Sequence, residues 1–127
     1  MVKYTIILLK NQRKEVLKYM CKIYAVASQK GGVAKSSKVL NLATALGMMG
    51  KKVLAVDLDP QGSLSICSGV ENPDSLTHTT YSLLNAALNE DELPEQSEYI
   101  VPREKMDVIP CNITLSALLS CILQGLF

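Results

Sequence analysis

The sequence has one histidine, His78, and four cysteines, at 21, 67, 111 and 121, none of them spaced as a CxxC pair. Without histidine and cysteine at ligand spacing there is no zinc motif, and the thiols suit a reducing, cytoplasmic setting better than a disulfide framework. A net charge of +1 supplies no global basic field that would argue for nucleic acid. Long apolar runs are missing too. Residues 4–9 are too short for a signal peptide or a spanning helix, and the uncharged residues 113–127 fall short of the roughly 20 needed to cross a bilayer. No membrane association is expected. Internal repeats and low-complexity stretches are likewise absent. His78, in the turn Leu76-Thr77-His78-Thr79, reads as a surface residue. What remains is ordinary: 127 residues, 48% hydrophobic and 20% charged, enough for a single globular core.

Against that plain background one stretch stands out, Ser28-Gln29-Lys30-Gly31-Gly32-Val33-Ala34-Lys35-Ser36-Ser37. It lies between the apolar run Ile23-Tyr24-Ala25-Val26-Ala27 and a helical pattern over residues 35–49. About twenty residues on, a second apolar run ends in Asp57-Leu58-Asp59-Pro60-Gln61. Strand, glycine turn, lysine, hydroxyl, helix, strand and paired acids in this order point to nucleotide binding. The backbone N–H groups at a helix start are unpaired and carry partial positive charge. Gly31 and Gly32 let the main chain approach phosphate oxygens, because no Cβ stands in the way. Lys35 would place a full charge on the β- and γ-phosphates, and Ser36 offers Mg²⁺ a hard oxygen ligand. Asp57 and Asp59 lie where a strand ends, pointing into the crevice where open α/β sheets bind ligands. The loop from Lys30 through Val33 and Ala34 to Ser37 is thus the candidate nucleotide site.

These residues carry a family resemblance. Lys30-Gly31-Gly32-Val33-Ala34-Lys35-Ser36-Ser37 resembles the deviant Walker A motif of the ParA/MinD class of P-loop ATPases, usually KGGxGK[ST][ST]. Asp57-Leu58-Asp59-Pro60-Gln61-Gly62 resembles the DxDPQGN motif of the ParA/Soj partition branch. A third segment, residues 106–116, is similar to that family's LDLIPSNxxLS. The resemblance implies an α/β P-loop fold, a parallel sheet with flanking helices, and ATP and Mg²⁺ as cofactors. It implies that Lys30 reaches across a nucleotide-sandwich homodimer to the partner's phosphates, and that Lys35 is the P-loop lysine. By the same resemblance Ser36 holds the magnesium directly, Asp57 holds it through water, and Asp59 orients the attacking water. A ParB-like partner, nonspecific DNA and slow ATP hydrolysis in plasmid or chromosome partitioning follow from the resemblance alone.

One residue departs from the motif. The family has glycine where this chain has Ala34, which keeps the N–H donor but adds a methyl in the tightest part of the turn. If that position requires positive φ, alanine costs about 1–2 kcal/mol, and weaker nucleotide binding than in the glycine form is expected.

The ends also depart. Residues 1–19 precede the start of the resemblance, and Lys14-Glu15-Val16 can be encoded by a purine-rich run like a ribosome-binding site ahead of Met20. The expectation is that residues 1–19 are leader or disordered extension, that Met20 initiates, and that residues 20–127 are the N-terminal part of a ParA-like domain. The Walker B strand of the family, an apolar run ending in an acid, has no counterpart, since no acid follows Asp107. The domain reads as truncated on its C-terminal side, with residues 113–127 a buried helix deprived of partners and prone to aggregate. The alternative to an ATPase is a non-catalytic remnant, or a nucleotide-binding module that docks on a full-length homologue.

Between the motifs the pattern is regular. Val39, Leu42, Ala43 and Leu46 form a helical stripe that Gly50 should end. Residues 53–56 read as a parallel strand covered on both faces. A loop with a short helix is expected over 61–79, and a helix capped by Thr80 through residue 89. Strands are expected at 99–101 and 106–109.

Overall fold

The computed structural model describes residues 3–10, 21–28 and 34–125. Among these, β1 (Lys3–Lys10), β2 (Cys21–Ser28), β3 (Lys52–Leu58), β4 (Val101–Pro102) and β5 (Asp107–Ile109) form one sheet, in the order β2-β1-β3-β5-β4. The helices are α1 (Lys35–Met48), α2 (Ser63–Cys67), α3 (Thr80–Leu88), α4 (Gln96–Tyr99) and α5 (Leu115–Leu123). This is the α/β architecture expected of a P-loop domain, with one correction. The sheet is mixed. β2 and β3 each run antiparallel to β1, hence parallel to one another, and β3 is parallel to β5. The two strands of opposite sense have separate origins. β1 comes from the segment that the sequence reading sets apart as leader. β4 is a two-residue edge strand turned back on β5, with Arg103 N–H donating to Met106 O at 2.9 Å. Pro102, which has no N–H to give a ladder, is tolerated at that edge.

α1 forms as its stripe dictates and stops where glycine permits. Val39 and Ala43 are fully buried and Leu46 packs against the same cluster, whereas Leu42 is 42% exposed, so the contact line runs i, i+4, i+7. Gly50 takes φ 74°, its N–H donates to Gly47 O at 2.9 Å, and Lys51 N–H donates to Leu46 O at 3.0 Å. That is a Schellman ending. The stripe meets Val53 and Ala55 of β3, Val108 of β5, Leu64 of α2 and Met106. β3 alternates strictly, Val53, Ala55 and Asp57 buried and Leu54, Val56 and Leu58 half-buried. Its α1 face is therefore the sealed one, rather than both faces alike. A second cluster joins Cys111, Leu115 and Leu118 with Tyr81 and Leu119. α5 buries that side and leaves Ile122 and Leu123 exposed.

Two local expectations shift by a residue or more. Thr79, not Thr80, caps α3, in a capping box in which Ser82 Oγ accepts the Thr79 N–H at 2.9 Å. Residues 99–101 are not one strand, because Glu98 accepts the Glu95 N–H at 2.9 Å and winds Gln96–Tyr99 into a helical turn.

Gly47 marks the closest approach of α1 to the β4–β5 turn. A Cβ there would stand 1.9 Å from the Lys105 carbonyl oxygen. We expect Gly47→Ala to destabilise the fold by about 2–3 kcal/mol through forced separation of backbone segments. An unchanged urea midpoint would disprove this contact.

Candidate functional site

The period-two alternation of β3 carries its acids to the same face as Val53 and Ala55, the face on which α1 lies. Beyond the strand, Pro60 favours a turn, and Gly62 N–H donates back to Asp59 O at 2.8 Å. Gly62 is required there twice over, since its φ is 59° and a Cβ would meet Cys111 O at 2.9 Å. The turn aims α2 back across the end of β3 and delivers Ser65 to Asp57.

Asp57 is fully buried and its carboxylate is held from several directions. Oδ1 accepts the Asp59 N–H at 3.1 Å, and Oδ2 accepts both the Ser65 N–H at 2.9 Å and the Ser65 hydroxyl at 2.8 Å. Burial pushes the Asp57 carboxyl above its ordinary value, opposed by the Ser65 hydrogen bonds that favour the anion. Ser65 Oγ in turn accepts the Cys111 N–H at 3.0 Å. Thr80, freed from capping duty, lies with Oγ1 2.7 Å from Asp57 O and 3.0 Å from Pro110 O. One serine and one threonine thus lock the ends of β3 and β5 together. Arg103 secures the far end of α2, its Nε and Nη2 donating to Ser68 O at 2.9 Å and Gly69 O at 2.7 Å. None of Ser65, Thr80 or Arg103 was singled out as functional, and isolated polar residues without periodicity give no sequence signal for such roles.

Asp59 answers Lys35 directly. Lys35 Nζ donates to Asp59 Oδ2 at 3.1 Å, with the two side chains only 8% and 5% exposed. Asp59 Oδ1 accepts the Gln61 N–H at 3.1 Å. The acid one residue past β3 and the first helical residue of α1 are therefore brought together. At the same helix start, Ser36 is half-buried and Ser37 exposed, no side chain among the described residues caps the first turn, and that turn contains no acid. An uncapped helix end with a lysine beside it suits an anion. Lys30, Gly31, Gly32 and Val33 lie outside the described residues.

Ala34 takes φ 55° and ψ 33°, in the left-handed region, and its carbonyl accepts the first helical N–H, from Lys38, at 3.0 Å. The condition that the sequence left open is met, and the residue carries the strain that glycine would avoid. Among the described residues, a groove at this end of the sheet has a volume of about 280 Å³ and is lined by Gln61, Gly62, Asp74, Asn112 and neighbouring apolar residues. The described residues contain no cluster of three or more metal-ligating side chains, and no described helix is long and apolar enough to cross a membrane.

Two measurements check this geometry. Ala34→Gly should stabilise the fold by about 1 kcal/mol, the left-handed penalty less the entropy of an added glycine; a loss of stability in urea would show that φ 55° costs nothing. Burial, and then the Asp57 charge, push the Cys111 thiol up to about 12 from 9.0. Its folded pKa is raised, so this stabilising contribution is complete below pH 9 and is lost as the unfolded chain ionises first, by about 1.4 kcal/mol per pH unit between 9 and 12. Relative to Cys111→Ala, the parent should lose stability more steeply from pH 9 to 10.5; parallel curves would place the thiol in water.

Comparison with known proteins identifies the family. The AAA_31 family, described as an AAA domain, matches residues 21–124. The chain is 36% identical over 97 residues to the sporulation initiation inhibitor protein Soj of Bacillus subtilis, covering 76% of this chain and 36% of Soj. It is 36% identical over 95 residues to the chromosome partitioning protein ParA of Caulobacter vibrioides, covering 75% and 34%. The structure of cobyrinic acid a,c-diamide synthase from Mycobacterium smegmatis, solved with an ATP analog and magnesium, matches with TM-score 0.64 and 37% identity over 76% of this chain and 37% of that one. The chain spans about a third of the length of these relatives. The chain belongs to the AAA_31 family and, within it, to the ParA/Soj type of P-loop ATPase domain.

Proposed function

We propose that the chain binds Mg-ATP at the start of α1 and belongs functionally to the ParA/Soj-like partition ATPases. The observation that carries this reading is the buried Lys35–Asp59 ion pair beside an uncapped helix start. A lysine held by an acid, at a helix end without a competing side-chain cap, is ready to exchange part of that pairing for phosphate oxygens. The residues fit the cofactors. Ser36 has a hydroxyl at the helix start for a hard cation, and Asp57 engages three donors, which leaves its anion room to accept from a water rather than to ligate broadly. In this reading Gly31, Gly32, Val33, Ala34 and Ser37 line the phosphates, Lys30 reaches a partner's nucleotide, and Asp59 orients water once Lys35 turns to phosphate. Magnesium supplies charge neutralisation of the phosphates when bound.

Homodimerisation on ATP, a ParB-like partner, nonspecific DNA and a nucleoid-associated cytoplasmic location extend the proposal by family likeness. A second reading of the same lysine and helix start does not require turnover. It is a nucleotide-binding module without turnover that docks on a full-length homologue.

Titration of fluorescent Mg-ATP separates the readings. Lys35→Ala should lower affinity roughly 10- to 100-fold, the loss of a charge-assisted hydrogen bond, and Ser36→Ala should abolish the magnesium dependence without leaving a buried charge unpaired. Turnover by the parent supports the ATPase, binding without turnover supports the module, and no binding by a folded parent rejects both.

A further inference from the structure

We propose that residues 3–10 serve as a central strand at a sheet position that none of the described strands of residues 21–124 occupies, and so fix the strand leading into the phosphate loop against the acid-bearing strand. The inference rests on the nucleotide reading for its consequence, but not for its geometry. β2, α1 and β3 make a strand–helix–strand crossover whose two strands are parallel and separated by one position. The family match begins at Cys21, and none of the strands it contains, β2, β3, β4 or β5, occupies that position. A gap there would strand the backbone donors and acceptors along the inner edges of β2 and β3.

β1 meets both edges at once. It pairs with β2 from Lys3↔Ser28 to Lys10↔Cys21, and with β3 from Tyr4↔Leu58 to Lys10↔Lys52. Its sequence, Tyr4-Thr5-Ile6-Ile7-Leu8-Leu9 between two lysines, is the near-continuous apolar, β-branched run of a strand with neighbours on each side. Thr5 is the shared rung, opposite Val26 on one side and Asp57 on the other. The loop leaving Ser28 and the turn leaving Leu58 therefore emerge at the same end of the sheet, two strand spacings apart, roughly 10 Å. In the sheet, β2 reaches β3 only through β1. Displacing β1 would leave β2 held to the rest only through the packing of Val26 on the α1 cluster, while β3, β5 and their hydrogen-bonded ends stay intact. β1 is thus a positioning element for the site.

The test uses the full chain. Lys10 and Lys52 are Cα partners, and facing residues of an antiparallel ladder lie about 4.5–5.5 Å apart, within disulfide reach. With Cys21→Ser to remove the thiol opposite position 10, Lys10→Cys together with Lys52→Cys should form an intramolecular disulfide on mild oxidation of the folded protein. Ile6→Pro, at the rung between Ala25 and Val56, should lower amide-exchange protection of β2 and of the β1-facing edge of β3 together, roughly ten-fold or more. It should also weaken Mg-ATP binding. Failure of the disulfide to form in folded protein overturns the proposal, as does unaltered protection of β2 in Ile6→Pro. If Ile6→Pro does not fold, the disulfide result alone decides. Neither readout involves nucleotide, so a chain that cross-links as expected yet binds no ATP refutes the nucleotide reading and leaves the strand assignment standing.

Discussion

Burying the Asp57 carboxylate costs several kcal/mol unless donors replace the lost water, and the carboxyl end of the sheet is organised around supplying them. Three donors arrive from two places, the Asp59 backbone and both groups of Ser65. For Ser65 to arrive, the chain must reverse sharply after Asp59. That reversal needs Gly62 in a left-handed conformation pressed against the Cys111 carbonyl. Ser65 then accepts from Cys111, which joins the end of β5 to the same network. A single buried anion thereby dictates a turn, a short helix and the spacing of two strand ends. The cost persists as the raised pKa of Asp57, which the Ser65 and Asp59 hydrogen bonds oppose.

The neighbouring pair follows a different logic. Lys35 and Asp59 neutralise one another in a nearly water-free setting, where breaking the pair would leave an uncompensated charge. A phosphate group could replace the carboxylate as the lysine's partner without that penalty, because it brings its own negative charge. Ala34 stands just before this lysine at φ 55°. Strain of this kind persists only where surrounding contacts over-determine the backbone, and it concentrates at functional sites. Here the contacts are visible: the Ala34 carbonyl opens the helix, and Lys35 is pinned by Asp59 one residue later.

Much of this was legible in residues with strong local rules. The α1 helix, its glycine stop, the existence of β3 and the acids at its end follow from periodicity and backbone preference, whereas the alternation of β3 does not, because its continuous apolar run reads as covered on both faces. Where two neighbouring residues could serve the same purpose, local rules did not discriminate. Thr79 and Thr80 are both competent caps, and the choice was made by Thr80's bonds to β3 and β5, which are tertiary. Residues 99–101 have strand-forming composition, but the Glu95–Glu98 capping box took Tyr99 into a helical turn. Ser65 lies eight residues from its partner, with no period to announce it. The mixed sheet was illegible for a related reason. Nothing local states that residues 3–10 pair with strands that begin eleven and forty-two positions later.

The pairing of β1 resolves a conflict within β2 but only on one side. Ile23-Tyr24-Ala25-Val26-Ala27 has the composition of a strand enclosed by neighbours, yet Ile23 is 64% and Tyr24 43% exposed. An apolar strand at a sheet edge invites further pairing, and Lys22 is the single charge in β2 that opposes it. Local preference and environment agree closely along β3 and disagree along β2, so stability is not uniform across the sheet. β2 is the marginal element and β3 the firm one. The geometry between Lys35 and Asp59 is secured by the ion pair. The place of β2 in the sheet depends instead on eight rungs of antiparallel pairing with β1.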